Sequence, residues 1–129
     1  MEQISLEKKF DLYMDSLEKF GALLLTMSDE MIDYYVFEEA DICVASFMSK
    51  ENMQELLDEG IIDDNIYEKS LLLNEEFIGF RETELWNVNS VKKDNRWHQL
   101  LCLSDEILKL IYERWEAEDM KILRDIRVN

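Results

Sequence analysis

Residues 6–27 read LEKKFDLYMDSLEKFGALLLTM, and in them Leu6, Phe10, Tyr13, Leu17, Phe20, Leu24 and Met27 recur at steps of 4-3-4-3-4-3. An α-helix turns once every ~3.6 residues, so this spacing stacks the apolar side chains along one face for about six turns. Ser5 stands where its hydroxyl can accept a first-turn N–H. The expectation is a single helix over 6–27. Its apolar face either packs on the rest of its own domain or pairs with a second copy as a coiled-coil seam, which leaves a homodimer through the 6–27 helix open.

The same grammar repeats along the chain. Ser28, followed by Asp29 and Glu30, reads as an N-cap with acids in the first turn, where the helix dipole favours them. The helix it starts runs to about Phe47, with Ile32, Val36, Ala40, Cys43 and Phe47 on one face. Ser49 caps a short third helix holding Met53, Leu56 and Leu57. Gly60 ends it, and Ile61 is placed to fold back on Leu56 as a Schellman ending requires. Asp63 opens a fourth helix whose stripe is Ile66, Ser70, Leu73, Phe77 and Phe80.

Between Thr83 and Arg96 the period fails. Residues 85–91 alternate briefly, as a short hairpin would, and Lys92 to Arg96 read as a polar loop. Helical spacing resumes at Trp97, with a fresh cap at Ser104, and continues through Ile107, Ile111, Trp115, Ile122 and Ile126. The fold expected is all-α, one domain over residues 1–129, a bundle of five or six helices with a short hairpin or irregular loop near 85–96.

Composition supports that class. The 129 residues include no proline and three glycines, and a sandwich or barrel with many tight turns needs both types. Gly21, Gly60 and Gly79 lie too far apart for a phosphate-cradling glycine-rich loop. The N-terminus lacks the basic and apolar regions of a signal peptide, and the apolar runs at 22–25 and 71–73 are far too short to span a membrane. A cytoplasmic protein is expected, with Cys43 and Cys102, each among apolar neighbours, as buried thiols.

Charge is the most informative feature. The formal net charge is −16, which repels nucleic acid and anionic membranes alike. Residues 1–80 hold 20 acids against 5 bases, whereas residues 81–129 are nearly neutral with 10 against 9. Residues 28–64 hold 12 acids and one base, Lys50. Self-repulsion of that density costs stability. It serves either as a solubilising face or as a landing surface for a basic macromolecule, where complementary charge speeds encounter and selects the partner.

Catalytic and metal constellations do not emerge. Carboxylates three apart share a helix face, as in all-α pyrophosphohydrolases that hold Mg²⁺, and Glu30–Asp33, Glu38–Asp41 and Glu55–Asp58 have that spacing. Six such pairs occur in the chain, against roughly seven expected by chance from 30 acids in 129 positions. Asp58 to Glu68 is acidic enough for a calcium loop, but its glycine falls at loop position 3 instead of 6. His98 has no Cys or His at ligand spacing and no glutamate three residues before it, so no cofactor is expected. Trp86 and Trp97 flank the irregular stretch beside Lys92, Lys93 and Arg96. Three bases in so negative a field make a poor nucleic-acid footprint, so core packing is the better reading of both rings, as it is for Trp115.

In size, helicity and the acidity of residues 28–64, the chain resembles the cytosolic immunity proteins of bacterial toxin systems, contact-dependent growth inhibition among them. The resemblance implies a non-enzymatic inhibitor whose carboxylates fill the positive, phosphate-binding cleft of a basic, nuclease-like toxin while apolar anchors hold the complex. Carried onto this chain, the partner-binding residues are Asp33, Glu38, Asp41, Glu55, Asp58, Glu59, Asp63 and Asp64, with Tyr34 and Tyr35 as aromatic anchors. Helical geometry lets only a subset of four or five of the acids face one way. A DNA-mimic inhibitor of a DNA-binding protein would use the same acids, and a Mg²⁺-dependent pyrophosphohydrolase is the enzymatic alternative.

Overall fold

The computed structural model describes residues 5–118, with side chains as far as Arg114. Six helices follow one another: α1 (Leu6–Lys19), α2 (residues 29–47), α3 (Lys50–Asp58), α4 (Asp64–Gly79), α5 (Val88–Lys93) and α6 (Asn95–Glu118). A 3₁₀ turn, Ala22–Thr26, links α1 to α2. The described residues hold no strand, and one apolar cluster is shared by all the helices. No helix among them is long and apolar enough to cross a membrane. Side chains of Trp115, Ile122 and Ile126 lie outside the described residues.

The first helix is shorter than its apolar spacing predicts. Phe20 leaves the helical region, Gly21 is extended, and the chain re-enters as the 3₁₀ turn. The cause lies on α6. The Asp105 carboxylate accepts the Ala22 N–H at 3.0 Å, and Ser104 Oγ donates to the Leu17 carbonyl at 3.2 Å. A helix end leaves carbonyls and N–H groups without intrahelical partners, and α6 satisfies two of them across the bundle. A Cβ on residue 21 would run into that carboxylate, with Asp105 Cγ at 3.1 Å. Ser104 and Asp105 therefore do not recap their own helix, which runs unbroken from Asn95 to Glu118. Phe10, Tyr13, Leu17, Phe20 and Leu24 stay in one stripe, and the chain's own core buries all five.

The second helix keeps its Ser28 cap, which accepts the Met31 N–H. It is α-helical over Asp29–Ile32, widens to a π-helix over Asp33–Ala40, and returns to α over Asp41–Phe47. This changes which residues face inward. Ile32, Val36, Ala40, Val44 and Met48 are buried, while Cys43 and Phe47 are only half-buried. In a pure α-helix each four-residue step drifts about 40° off the face. The wider π turns take up that drift, so a stripe with constant spacing of four stays inward. Asn74 on α4 fixes the far end by donating to the Val44 carbonyl at 2.8 Å.

Local chemistry behaves as expected in the next two helices. Ser49 and Asp63 accept the N–H groups of Asn52 and Ile66. The end of α3 is a Schellman motif: Ile61 N–H reaches the Leu56 carbonyl and Gly60 N–H the Leu57 carbonyl, both at 3.0 Å, with Gly60 at φ +74°. The 85–96 stretch is no hairpin. Asn87 accepts the Ser90 N–H and caps α5, whose Val91 is buried. Trp97 is fully buried, donates its indole N–H to the Leu85 carbonyl at 2.7 Å, and meets Phe20, Phe37, Phe77, Phe80 and Trp86 edge-on or tilted. Trp86 likewise packs on Phe37, with ring centroids 4.8 Å apart. Both cysteines are free, but they are not the buried pair expected: Cys43 is half-buried and Cys102 exposed. The buried positions around Cys102 are Leu100, Leu101, Ser104 and Ile107, which put residue 102 on the opposite side of α6.

Candidate partner-binding surface

The eight acids named from the sequence fall on two parts of the fold. Asp33, Glu38 and Asp41 ride on α2, the first two in its π segment. Glu55, Asp58, Glu59, Asp63 and Asp64 surround the corner between α3 and α4. Several are engaged inside the molecule. Asp41 accepts Arg81 Nε at 2.8 Å while the Arg81 guanidinium also reaches its carbonyl at 3.0 Å. Glu55 accepts Lys9 Nζ at 2.6 Å, Asp58 accepts the Gln54 amide at 2.9 Å, and Asp63 is the α4 cap. Asp33, Glu38, Glu59 and Asp64 are exposed and make no ion pair among the described residues.

The tyrosines divide as well. Tyr34 is 45% exposed and donates its hydroxyl to Glu39 at 2.6 Å. That hydrogen bond, reinforced by the glutamate's charge, pushes the phenol above its ordinary range. Tyr35 is half-buried, edge-on to Tyr34 with ring centroids 5.3 Å apart.

Tyr35 lines a groove of about 130 Å³ between the end of α1, the 3₁₀ turn and the π segment. Leu23, Leu24 and Met27 give it an apolar lining, and Glu18 and Lys19 line it as well. A separate hollow of about 10 Å³ shares Tyr35 and Lys19 with it and is lined also by Glu39 and Cys43. Lys19 pairs with Asp15 at 3.0 Å, and this bond raises its pKa. Burial raises the Cys43 thiol, and the Glu39 charge adds to it, so this cysteine stays a protonated, weak nucleophile. Helical spacing gives no hint of this groove, because the break at Gly21 and the π segment create it.

The remaining candidates are structural. Lys92 pairs with Asp29 at 2.8 Å and Arg96 with Asp94 at 3.0 Å, which neutralises part of the basic trio. The Arg96 hydrogen bond holds the Asp94 carboxyl below its usual range. His98 Nε2 lies 2.9 Å from the Lys92 carbonyl in the last turn of α5, so in this contact the ring nitrogen donates. Among the described residues no three His, Cys, Asp or Glu side chains are gathered to hold a metal ion. No model of a known protein family matches the chain, and neither a curated protein nor a solved structure matches it.

Proposed function

We propose that this chain is an acidic binding protein of the immunity type. It neutralises a basic partner, a nuclease-like toxin by this reading, by covering the positive surface on which the partner holds its phosphate-bearing substrate. The observation that carries the reading is the set of exposed carboxylates Asp33, Glu38, Glu59 and Asp64, which make no ion pair among the described residues and lie in residues 28–64, where Lys50 is the only base. Carboxylates that already serve Arg81, Lys9 or a helix cap stabilise the fold, whereas those four are left to act on something outside it. Complementary charge of this kind speeds association and rejects wrong partners. Tyr34 adds an exposed aromatic ring, a residue type suited to anchoring interfaces. No enzymatic step is assigned. The α1 face is filled by the chain's own core, so the reading needs no homodimer through it. Its place of action is the cytoplasm.

The test is affinity capture from the source cells at low salt, with the wild-type chain beside the triple variant Asp33→Lys, Glu38→Lys, Glu59→Lys. Each substitution sits at an exposed site, so the variant keeps its helical circular dichroism. Wild type retains a basic protein that a salt gradient releases, and the variant fails to retain it. Equal retention by both chains would refute the acidic-surface reading.

A further inference from the structure

We infer that the second half of α2 has two registers, the π-supported one described above and a continuous α-helical one that turns Cys43 and Phe47 into the core. Asp33–Ala40 is a long run of a conformation that proteins use mostly for single turns, so contacts from outside the segment hold it. Two such contacts stand just beyond it, one from α4 and one from the residues that follow α4. Asn74, a nearly buried amide, donates to the Val44 carbonyl at 2.8 Å. Arg81 grips Asp41 through its carboxylate at 2.8 Å and through its carbonyl at 3.0 Å.

The residues for the second register are already in place. In a continuous α-helix Ile32, Val36, Ala40, Cys43 and Phe47 fall within about 80° of one another. Val44 and Met48, both buried in the π-supported register, would lie about 40° and 80° outside that arc. The exchange nearly conserves core volume, because cysteine is smaller than valine, phenylalanine is larger than methionine, and all four are apolar. Cys43 and Phe47 are half-buried at the outset, so neither has to come in from open water. Met48 closes the helix at φ −106° and ψ 24°, outside regular helical geometry, and this joint takes up the rotation before α3. The change needs Asp41 and Val44 to leave Arg81 and Asn74, and it turns Asp41 outward beside Tyr34 and Glu38. On the acidic-surface reading, on which this consequence alone rests, the register sets how many carboxylates face a partner.

The test uses the full chain without a partner, so its failure leaves the acidic surface standing. Met48→Lys puts a charge at a position that is fully buried in one register and on the outer side in the other. The variant is expected to keep its helical circular dichroism. Its Cys43 should react with an aromatic disulfide reagent about tenfold more slowly than in the native chain, with the exposed Cys102 as internal reference. Asn74→Leu combined with Arg81→Met removes both holds and should slow Cys43 in the same sense, and Met48→Lys decides alone if that double variant does not fold. A Met48→Lys chain that unfolds, or one that stays folded while Cys43 reacts at the native rate or faster, would overturn the second register. An unchanged Cys43 rate in the folded double variant would overturn the role of Asn74 and Arg81 as its holds.

Discussion

Replacing Gly21 by alanine should change sign with its background. In the native chain Gly21 is extended, at φ −135° and ψ −179°, a conformation any residue adopts, so backbone strain is not at issue. The added methyl instead displaces the Asp105 carboxylate, which then loses the Ala22 N–H. A hydrogen bond to a charged acceptor contributes about 1.5 kcal/mol at the lower end of its range, the end suited to an exposed aspartate. Against this, Gly→Ala restricts the unfolded chain and stabilises by about 0.5 kcal/mol. The net is a loss of about 1 kcal/mol, or ~3–5 °C for a chain of this size. With Asp105→Ala already in place nothing remains to collide with, and Gly21→Ala should stabilise by about 0.5 kcal/mol. Urea unfolding of the four proteins of this cycle, followed by far-ultraviolet circular dichroism, reads a coupling of about 1.5 kcal/mol. Additive effects would show that the end of α1 is not set from α6.

Other perturbations probe the remaining features. Gly60→Ala, at φ +74°, should destabilise by about 1 kcal/mol, while Gly79→Ala, with open space around it at the end of α4, should stabilise by about 0.5–1 kcal/mol; opposite signs in thermal unfolding check both. Tyr13 is buried against Ser70, with their oxygens 2.6 Å apart. Burial drives its phenol far above the ordinary value, the Ser70 hydrogen bond works against that, and the Asp63 charge adds to it. The unfolded chain therefore loses this proton near pH ~10 while the folded chain keeps it, so stability falls as pH rises beyond that point. Tyr13→Phe should flatten that alkaline loss, and an unchanged slope would contradict it. An aromatic disulfide reagent should modify Cys102 quickly and Cys43 slowly in the folded protein, and equal rates would contradict the placement of the two thiols.

What the sequence reveals is what short-range chemistry decides. Ser5, Ser28, Ser49 and Asp63 cap the helices their positions announce, because an N-cap needs only a side chain and an N–H three residues on. Gly60 and Ile61 close α3 for the same reason. Features set by distant contacts are hidden. The break after α1 needs Asp105, 83 residues beyond Ala22. The 32–48 segment carries two inward-facing stripes, ending in Cys43 and Phe47 or in Val44 and Met48, and both are apolar enough to read as core. Only the π segment, held where Asn74 meets the Val44 carbonyl, selects the second. The brief alternation of residues 85–91 reads as a hairpin, whereas the Asn87 side chain accepts the Ser90 N–H and starts α5.

The candidate surface follows the same division. The surplus of carboxylates in residues 28–64 is plain in the sequence. Which of them are spent inside the fold is not, since the Asp41–Arg81 and Glu55–Lys9 pairs span 40 and 46 residues. The groove behind Tyr35 depends on both irregular features of the backbone, so no spacing rule could have found it.

The central claim, that exposed carboxylates of residues 28–64 cover a polyanion-binding surface on a basic partner, is tested most directly by the salt dependence of binding to the captured partner, measured with and without heparin. The account predicts that affinity falls steeply and linearly in log–log form as salt rises, that the triple lysine variant shows a shallower slope, and that heparin displaces the chain. An affinity indifferent to salt, or a ternary complex in which heparin and the chain bind the partner together, would contradict it.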